Sequence, residues 1–346
     1  MISPALDSTM RTGSPSPPRI LITGGAGFIG SHLAFHHLQK GDFVTVVDDL
    51  STGTRELLTG ADPSRFRFVE ADILEWPDLE KEATCADRIY HMAAVVGMFR
   101  VLREPIAVTR VNVLGTERLL QAVSRSLHLP EIVLASSSSV YSHAREQMLS
   151  EDCELVYHPE KGGLTGYALS KLTNEIQASA YRSMHGLPVS IPRLFNAIGP
   201  GQSGTYGFVL PRFIARALAD EPLVVYGDGT QTRSFCDVRD TVRAIDLLAS
   251  NPDAWGVPVN VGNPHEIPIL DLAKLVIERA GSKSTVEFQS FEQGYGGTFW
   301  QVPQRRPSLI RLQELTGFRH SWSLEQSIDD LIARNWKVDL SGERLQ

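Results

Sequence analysis

The chain has 346 residues, of which 42% are hydrophobic and 21% charged, the composition of a globular protein long enough to form two lobes. Its formal net charge of −7 argues against a nucleic-acid partner, because no basic field is available to hold phosphates. Its three cysteines are widely spaced, and no apolar run reaches the roughly 18–20 residues of a membrane helix. We therefore expect no metal site, no disulfide framework, no membrane contact and a cytoplasmic location.

Strands alternate with helices from Arg19 onward, after a Ser-, Pro- and Thr-rich segment, residues 1–18, that we expect to be a flexible tail. The helical stretches include residues 108–126 and 167–184. The predicted strands are, in chain order, ILIT, DFVTVVDD, RFRFVEADI, RIYHMAA, EIVLASSS and LPVSIPRLFN. This alternation predicts an α/β fold of the Rossmann type, in which a doubly wound parallel sheet carries helices on both faces.

The character of the sequence changes after Asn196, where glycine and proline become more frequent and the elements become shorter. We therefore assign residues 19–195 to the Rossmann-type domain, which would bind the cofactor. Residues 196–340 would form a smaller C-terminal lobe that binds the substrate. We expect the chain to return to the first domain near residues 233–262.

The segment TGGAGFIG, residues 23–30, lies between the first predicted strand and the first predicted helix. Gly24, Gly27 and Gly30 permit a tight turn there and let backbone N–H groups approach a pyrophosphate. The helix N-terminus, which includes Phe28 and Ile29, favours that anion. On its own, such a segment is also compatible with a simple turn.

Two acidic residues stand at the ends of the next strands. Asp48 follows the glycines by about 20 residues, where a carboxylate accepts hydrogen bonds from the adenosine ribose and repels a 2′-phosphate. It therefore favours NAD over NADP as the cofactor, with a loop-capping role as the alternative. Asp72, with Ile73 beside it, is expected near the adenine, although an ordinary polar strand end explains it nearly as well.

The fifth predicted strand leads into SSSSVY, residues 136–141, and ligands of open parallel sheets bind beyond the carboxyl ends of the strands. Downstream, Tyr167 and Lys171 in YALSK lie four residues apart, on one face of a helix. A nearby ammonium and an oxidised nicotinamide lower the pKa of a phenol, so Tyr167 is able to take a proton from an alcohol while a hydride leaves for the cofactor. A lone Tyr-x-x-x-Lys pattern is more often core packing, but here it accompanies the glycine segment and Asp48.

Together these segments resemble the extended short-chain dehydrogenases/reductases of the NAD-dependent nucleotide-sugar epimerase/dehydratase family, and within it the UDP-glucose 4-epimerases. The matching segments span about residues 19–262, and QRRPS extends the match more weakly towards the C-terminus. They are TGGAGFIGSHL, VDDLSTG, ADI, HMAA, NVLGT, SSSSVY, YALSK, PRLFNAIGPGQ, VYGDGTQTRSFCDV and NVGN. The resemblance implies Ser137 as the catalytic hydroxyl, Tyr167 as the base and Lys171 as its electrostatic partner, also bound to the nicotinamide ribose.

The resemblance also implies further ligand contacts. Ala93 and Asn112 are expected at the cofactor, and Ser138 and Asn196 at the sugar. The guanidinium fork of Arg233 is expected to hold the nucleotide diphosphate. The remaining expected contacts are Arg306 at the phosphates, with Arg305 as the alternative, and Leu210 and Tyr226 as walls of the nucleoside-base pocket.

The resemblance predicts a UDP-hexose 4-epimerase, which passes a hydride from C4 to NAD and returns it to the opposite face of a 4-keto sugar. A UDP-glucuronate decarboxylase is the main alternative. A 4,6-dehydratase is disfavoured, because Ser138 and Ser139 stand where an Asp-Glu pair is expected. The alternative of a different class is a non-catalytic NAD-sensing protein, against which the retained Tyr-Lys pair argues.

The expected partners follow from the same resemblance. The substrate would be a nucleotide-diphosphate sugar linked to UDP, and the protein a homodimer in which helices 108–126 and 167–184 pair across a two-fold axis. Two departures from the family pattern leave the sugar itself open: Gly201 stands in place of an arginine, and Ser308 in place of an acid.

Overall fold

The structure, a computed structural model, describes residues 16–334 except 143, 145, 158–163, 205–206 and 293–304. Residues 1–15 of the predicted tail and residues 335–340 of the predicted lobe lie outside the described residues. Within the described residues, no helix is both long enough and apolar enough to cross a membrane. The strands are β1 (Arg19–Thr23), β2 (Phe43–Asp48), β3 (Phe66–Glu70), β4 (Arg88–His91), β5 (Glu131–Leu134), β6 (Ser136–Ser137), β7 (Val189–Leu194), β8 (Ala197–Ile198), β9 (Leu223–Tyr226), β10 (Thr232–Ser234), β11 (Cys236–Asp237), β12 (Pro258–Val261), β13 (Glu266–Pro268) and β14 (Val286–Gln289). The helices are α1 (Phe28–Lys40), α2 (Leu79–Thr84), α3 (Met98–Arg103), α4 (Pro105–Thr109), α5 (Gly115–Ser124), α6 (Leu164–His185), α7 (Val209–Leu218), α8 (Val238–Ala249), α9 (Ile269–Ala280), α10 (Ile310–Thr316) and α11 (Leu324–Ala333).

The central sheet has the strand order β12-β7-β5-β4-β1-β2-β3, and β6 also pairs with β7. All of these pairings are parallel. Side chains of a strand alternate between the two faces of a sheet, so Leu21 of β1 joins the core formed with α2, α5 and α6, while Ile20 and Ile22 join the core formed with α1 and α8. Helices therefore cover both faces, and the prediction of a Rossmann-type doubly wound parallel sheet is confirmed.

A third core lies in the C-terminal part of the chain, apart from the sheet. Buried faces of α7, α9 and α11 meet there around Phe213, Leu272 and Ile328, next to the parallel pair β9 and β14. Between these elements the chain returns to the sheet, where α8 packs on one face and β12 pairs with β7. The C-terminal lobe is thus interleaved in sequence with the sheet rather than appended to it.

The helix expected over residues 108–126 is interrupted in the structure. α4 ends at Thr109, a π-helical turn spans Arg110–Leu114, and α5 begins at Gly115. Asn112, inside this turn, is fully buried, and its side chain bonds to Val95 and to Ser170 rather than to solvent. A π-turn adds one residue to a helical turn, so the spacing of apolar residues does not reveal it.

The strand that leads to the serines is broken opposite Pro192. β5 ends at Leu134, β6 begins at Ser136, and β7 pairs with both. Pro192 lies between these two pairings and has no N–H to donate to a neighbouring strand. Beyond the break, Ser136 and Ser137 lie against α6 at the carboxyl edge of the sheet.

Candidate active site

A cavity of about 640 Å³ crosses the carboxyl ends of the parallel strands and extends to the inner side of the C-terminal lobe. This is the position expected for the ligands of an open parallel sheet. All the predicted ligand contacts except Asn112 and Arg306 line it. They are Gly24, Gly27, Phe28, Ile29, Gly30, Asp48, Asp72, Ile73, Ala93, Ser137, Ser138, Tyr167, Lys171, Asn196, Leu210, Tyr226 and Arg233.

The glycine segment brings backbone against backbone at one end of the cavity. Gly24 has φ +69°, and a Cβ there would lie 2.5 Å from the nitrogen of Ala93. A Cβ on Gly30 would lie 2.3 Å from the carbonyl oxygen of Gly24. α1 begins at Phe28 with no acidic residue in its first turn, so its N-terminus faces the cavity with unopposed positive character. This cradle fits the pyrophosphate of a dinucleotide.

Asp48 joins the glycine segment to the turn after β2. Its Oδ2 accepts a hydrogen bond from the backbone N–H of Ala26 at 3.0 Å, and its Oδ1 accepts one from Leu50 at 2.8 Å. Burial raises the pKa of Asp48, and these two N–H donors act against that rise. The carboxylate therefore caps the loop, as the alternative interpretation has it, and also lines the cavity where a ribose would lie. Asp72 similarly accepts from the N–H of Leu74 at 2.8 Å and faces the same end of the cavity.

Ser137, Tyr167 and Lys171 come together where β6 meets α6. The Tyr167 hydroxyl is hydrogen-bonded to the Ser137 side chain, and Lys171 Nζ donates to the carbonyl oxygen of Ala135 at 2.8 Å. That carbonyl is available because Ala135 lies just beyond the last paired residues of β4 and β5, His91 and Leu134. Lys171 is buried, and its burial lowers its pKa to about 8.

The groups that act on the pKa of Tyr167 differ in part from those expected from the sequence. Burial raises the pKa of Tyr167, and the groups that lower it are Ser137, through its hydrogen bond, and the guanidinium of Arg305. The ammonium of Lys171 is expected from the sequence to lower this pKa; in the structure it donates a hydrogen bond to the Ala135 carbonyl. Among the described residues, the cation that lowers the pKa of the phenol is therefore Arg305.

Two predicted contacts occupy other places. Asn112 is fully buried beneath the cavity wall: its Oδ1 accepts from the N–H of Val95 at 2.8 Å, and its Nδ2 donates to Ser170 at 3.1 Å. It therefore fixes the turn after β4 against α6 rather than facing the cofactor end. The side chain of Arg306 is exposed, whereas that of its neighbour Arg305 lines the cavity, so the structure favours Arg305 for the anion-binding position.

Arg305 and Arg212 are the site residues that sequence reasoning ranked too low or missed. Within the described part of the chain, the guanidinium of Arg305 has no carboxylate within ion-pair distance, and its electrostatic neighbour is Tyr167. Arg212, on α7, is buried and donates to the hydroxyl of Tyr226 at 3.3 Å. QRRPS marked the first of these arginines, whereas in VLPRF, residues 209–213, only Leu210 was expected at the site and not Arg212.

Charge is distributed unequally along the cavity. The described carboxylates that line it, Asp48, Asp49 and Asp72, all lie at the end near β2 and β3. The described cationic residues on the side of the C-terminal lobe are Arg212, Arg216, Arg233 and Arg305. The cavity therefore suits a ligand with hydroxyl groups at one end and negative charge at the other. No group of three or more metal-ligating side chains occurs among the described residues, and the absence of a metal stays a prediction.

Comparisons with known proteins agree with this geometry. The sequence model of the NAD dependent epimerase/dehydratase family matches residues 20–262. The UDP-N-acetyl-alpha-D-glucosaminuronate decarboxylase of Bacillus cytotoxicus is 35% identical over 318 residues, which cover 91% of this chain and 96% of that protein. UDP-glucuronic acid decarboxylase 1 of Xenopus tropicalis is 34% identical, with 91% and 71% covered. The crystal structure of UDP-glucuronic acid 4-epimerase from Bacillus cereus, in complex with UDP-glucuronic acid and NAD, superposes with a TM-score of 0.81 at 27% identity, covering 92% of this chain and all of that one.

Proposed function

Because the chain belongs to the NAD-dependent epimerase/dehydratase family, we propose that it is a decarboxylase of a UDP-linked hexuronate that acts through a 4-keto intermediate. The predicted family and the predicted NAD cofactor are confirmed, and a nucleotide sugar is the substrate class of its relatives. The 4-epimerase expected from the sequence receives less support than the decarboxylase alternative, since the decarboxylases are 32–35% identical over 91–94% of this chain, whereas the 4-epimerase of Bacillus cereus is 27% identical.

The position of Arg305 is the observation that carries the proposal. A partly buried cation that has no anionic partner among the described residues is poorly compensated, so an arginine held in a cavity in this way favours a ligand that brings negative charge. A neutral hexose brings none near its C4, whereas a hexuronate carries a carboxylate on C6, two bonds away from C4. Arg305 lies beside Tyr167, the candidate base for the 4-hydroxyl, so it is suited to meet that carboxylate.

The side chains at the site suit the chemistry of a 4-keto uronate. Bound NAD supplies the hydride acceptor and later the donor. Tyr167 takes the proton of the 4-hydroxyl, assisted by the hydrogen bond to Ser137, and Lys171 holds the strand against the helix. The C5–C6 bond of the resulting β-keto acid then breaks, carbon dioxide leaves, and the electron pair moves onto the C4 oxygen as an enolate. Tyr167 and Ser137 stabilise that oxygen as hydrogen-bond donors before C5 takes a proton.

Decarboxylation does not require a protein carboxylate near C5 of the sugar. Dehydration does require such a base, because the C5 proton must be removed. The described carboxylates of the cavity all lie at the cofactor end, and serines occupy positions 138 and 139. A 4,6-dehydratase therefore stays disfavoured.

A 4-epimerase acting on the same kind of sugar is the second candidate. It is favoured by the similarity to the UDP-glucuronic acid 4-epimerase of Bacillus cereus over the whole length of that protein. The epimerase-like YALSK segment supports it as well. Both candidates use Arg305 in the same way and differ only in the fate of the 4-keto sugar. A non-catalytic NAD sensor would have no use for the Tyr167–Ser137 hydrogen bond.

The experiment is incubation with UDP-glucuronate, UDP-N-acetylglucosaminuronate and UDP-glucose in heavy water, with products examined by NMR. Decarboxylation yields a UDP-pentose with deuterium on C5, because the enolate is protonated from solvent, and releases carbon dioxide. Epimerisation yields a C4-inverted uronate without deuterium on carbon, and that outcome would replace the proposal with the second candidate. Turnover of UDP-glucose alone would remove the assigned role of Arg305. The Tyr167→Phe variant, run in parallel, serves as the control for non-enzymatic decay.

The proposed homodimer is supported by the surface of the helices expected to pair. Exposed apolar side chains lie on α4, on the π-turn and on α6, within or beside the helices expected to pair: Ile106, Leu114, Leu169 and Ile176. A second copy that buried them would remove this apolar surface from water. The mass in solution tests the proposal, and a monomer at micromolar concentration would contradict it.

A further inference from the structure

Three successive turns of α6 contact the same short stretch of chain. Tyr167 is hydrogen-bonded to Ser137, and Lys171 donates to the carbonyl of Ala135. One turn further, the carboxylate of Glu175 accepts a hydrogen bond from the hydroxyl of Ser136. The first two contacts involve the candidate catalytic groups. The third adds a buried carboxylate to the Tyr-x-x-x-Lys pattern, at a position to which no role has been assigned.

Glu175 is paired with Arg193 of β7. The two contacts, Nε to Oε1 and Nη2 to Oε2, are both 2.9 Å long, and both side chains are buried. Arg193 Nη1 also donates to the hydroxyl of Tyr141 at 3.1 Å. Desolvation offsets much of the attraction within a buried ion pair, so net stability alone is a weak reason for placing one here. The contacts of the pair with neighbouring residues therefore say more about its role than its contribution to stability does.

The contacts continue to the segment that carries Arg305. The hydroxyl of Tyr141 donates to Oδ1 of Asn260 at 2.6 Å, and Nδ2 of Asn260 donates to the carbonyl of Ser308 at 3.1 Å. The N–H of Leu149 donates to the carbonyl of Arg306 at 2.7 Å, and the N–H of Ser308 donates to the carbonyl of Leu149 at 2.8 Å. The chain is thus held on both sides of Pro307, directly after Arg305.

We propose that Glu175, Arg193, Tyr141 and Asn260 form a positioning network that fixes Ser137 and Lys171 at one end and Arg305 at the other around Tyr167. None of the four lines the cavity, so each acts through the groups it holds. The network joins the sheet strands β7 and β12 to the segment that carries Arg305. The inference rests on the proposed roles of Tyr167, Lys171 and Arg305, and it holds whether the 4-keto sugar is decarboxylated or reduced again.

The charges around Lys171 support this assignment. Burial lowers the pKa of Lys171 to about 8, and the carboxylate of Glu175 acts against that fall. The other titratable groups nearby are Tyr167 one turn earlier, Arg193 behind Glu175, and His91 at the end of β4, where burial lowers the pKa of the imidazole to about 3 and keeps it neutral. Removing the charge of Glu175 therefore lowers the pKa of Lys171 further, and the ammonium is lost at a lower pH.

The test compares two buried tyrosines. Tyr141→Phe removes the hydroxyl that links Arg193 to Asn260, without a change of charge. Tyr90→Phe is the matched control, because Tyr90 is also fully buried and its hydroxyl also joins an ionic cluster, donating to Asp246 at 2.9 Å. Its partners in that cluster, Asp246, Arg88 and His37, do not line the cavity. The readouts in the NAD-loaded protein are the unfolding temperature, kcat and KM, and the ultraviolet titration of the Tyr167 phenolate, with Tyr167→Phe as the blank in each background. The titration needs no sugar, so it separates failure of the network from failure of the proposed function.

We expect both variants to unfold at a lower temperature, but only Tyr141→Phe to lower kcat. The expected loss is about 10- to 100-fold, with KM changed less than about threefold, because a displacement of catalytic groups by about 1 Å has effects of this size. The same variant raises the pKa of Tyr167, because Arg305 and Ser137 lower that pKa in the intact protein. Wild-type kcat and titration in Tyr141→Phe would overturn the proposal, as would an equal loss of kcat in Tyr90→Phe. If Tyr141→Phe does not fold, Glu175→Gln decides: the basic limb of its kcat–pH profile should move to lower pH, and an unmoved limb refutes the network.

Discussion

The two ends of the cavity are built in different ways. At the cofactor end, the walls are largely backbone: Gly24 and Gly30 allow such close approach that a Cβ would clash with main-chain atoms. At the sugar end, the charged walls are side chains contributed by α7, β10 and the segment at Arg305. A wall of backbone can be formed by few residue types, whereas a side-chain cation can come from any nearby segment. The cofactor end therefore leaves a recognisable sequence, and the sugar end leaves much less.

Tyr167 lies where the two ends meet, and its replacement should have the largest effect. Tyr167→Phe removes only the ionisable oxygen, so turnover should fall by about 10²- to 10⁴-fold, the range for loss of a general base. NAD should stay bound, because the glycine cradle and Asp48 are untouched. Product formation by NMR and the NAD released on denaturation measure the two effects. Turnover near the wild-type rate would remove Tyr167 from its assigned role.

Arg305 tests the sugar end alone. Arg305→Leu removes a charged hydrogen-bond donor to the substrate, and such a hydrogen bond contributes about 1.5–3 kcal/mol of binding free energy. We therefore expect kcat/KM for a UDP-hexuronate to fall by about 10- to 100-fold while the affinity for NAD is unchanged. Arg306→Leu is the matched control, since it removes the same charge from the adjacent, exposed position. Steady-state kinetics and a fluorescence titration with NAD give both numbers. Equal losses in the two variants would mean that general electrostatics, and not a contact, explains the effect.

Asp48 tests the cofactor end, where we expect the smallest effect. Asp48→Ser removes the charge that repels a 2′-phosphate, so the preference for NAD over NADP should shrink by about tenfold, the equivalent of about 1.4 kcal/mol. The loss of acceptors for Ala26 and Leu50 should also weaken the binding of both cofactors. Asp49→Ser, which changes the neighbouring carboxylate, is the control. The dissociation constants for NAD and NADP measure the change in preference. An unchanged ratio of the two constants would mean that a group other than Asp48 discriminates between the two riboses.

The fold could be predicted from the sequence because strands and helices alternate with clear apolar runs, and the sheet confirms it. The π-turn at Asn112 could not, since one extra residue in a helix leaves the apolar spacing almost unchanged. Asn112 was expected at the cofactor but lies beneath the cavity wall, because its amide satisfies the buried N–H of Val95. Local sequence does not report such a long-range partner.

The site could be predicted as far as it depends on spacing within one element. Tyr167 and Lys171 share a helix face, and the glycines share a turn. The choice between Arg305 and Arg306 depends instead on which side of the chain turns inward, and that is set by the distant contacts of Leu149 with Arg306 and Ser308. The proposed hexuronate depends on that choice, because it is argued from the position of Arg305, whose guanidinium has no carboxylate within ion-pair distance among the described residues.

The late return of the chain to the sheet at β12 affects how the protein is made. β7 is complete at Leu194, but its neighbour β12 begins only at Pro258. At the usual pace of synthesis, about 5–20 residues per second, several seconds pass before that partner emerges. During this interval the edge of β7 that later pairs with β12 lacks partners for its backbone N–H and C=O groups. The nascent chain is thus most exposed to association with other chains just before its last sheet strand arrives, and chaperone protection would matter most at that length.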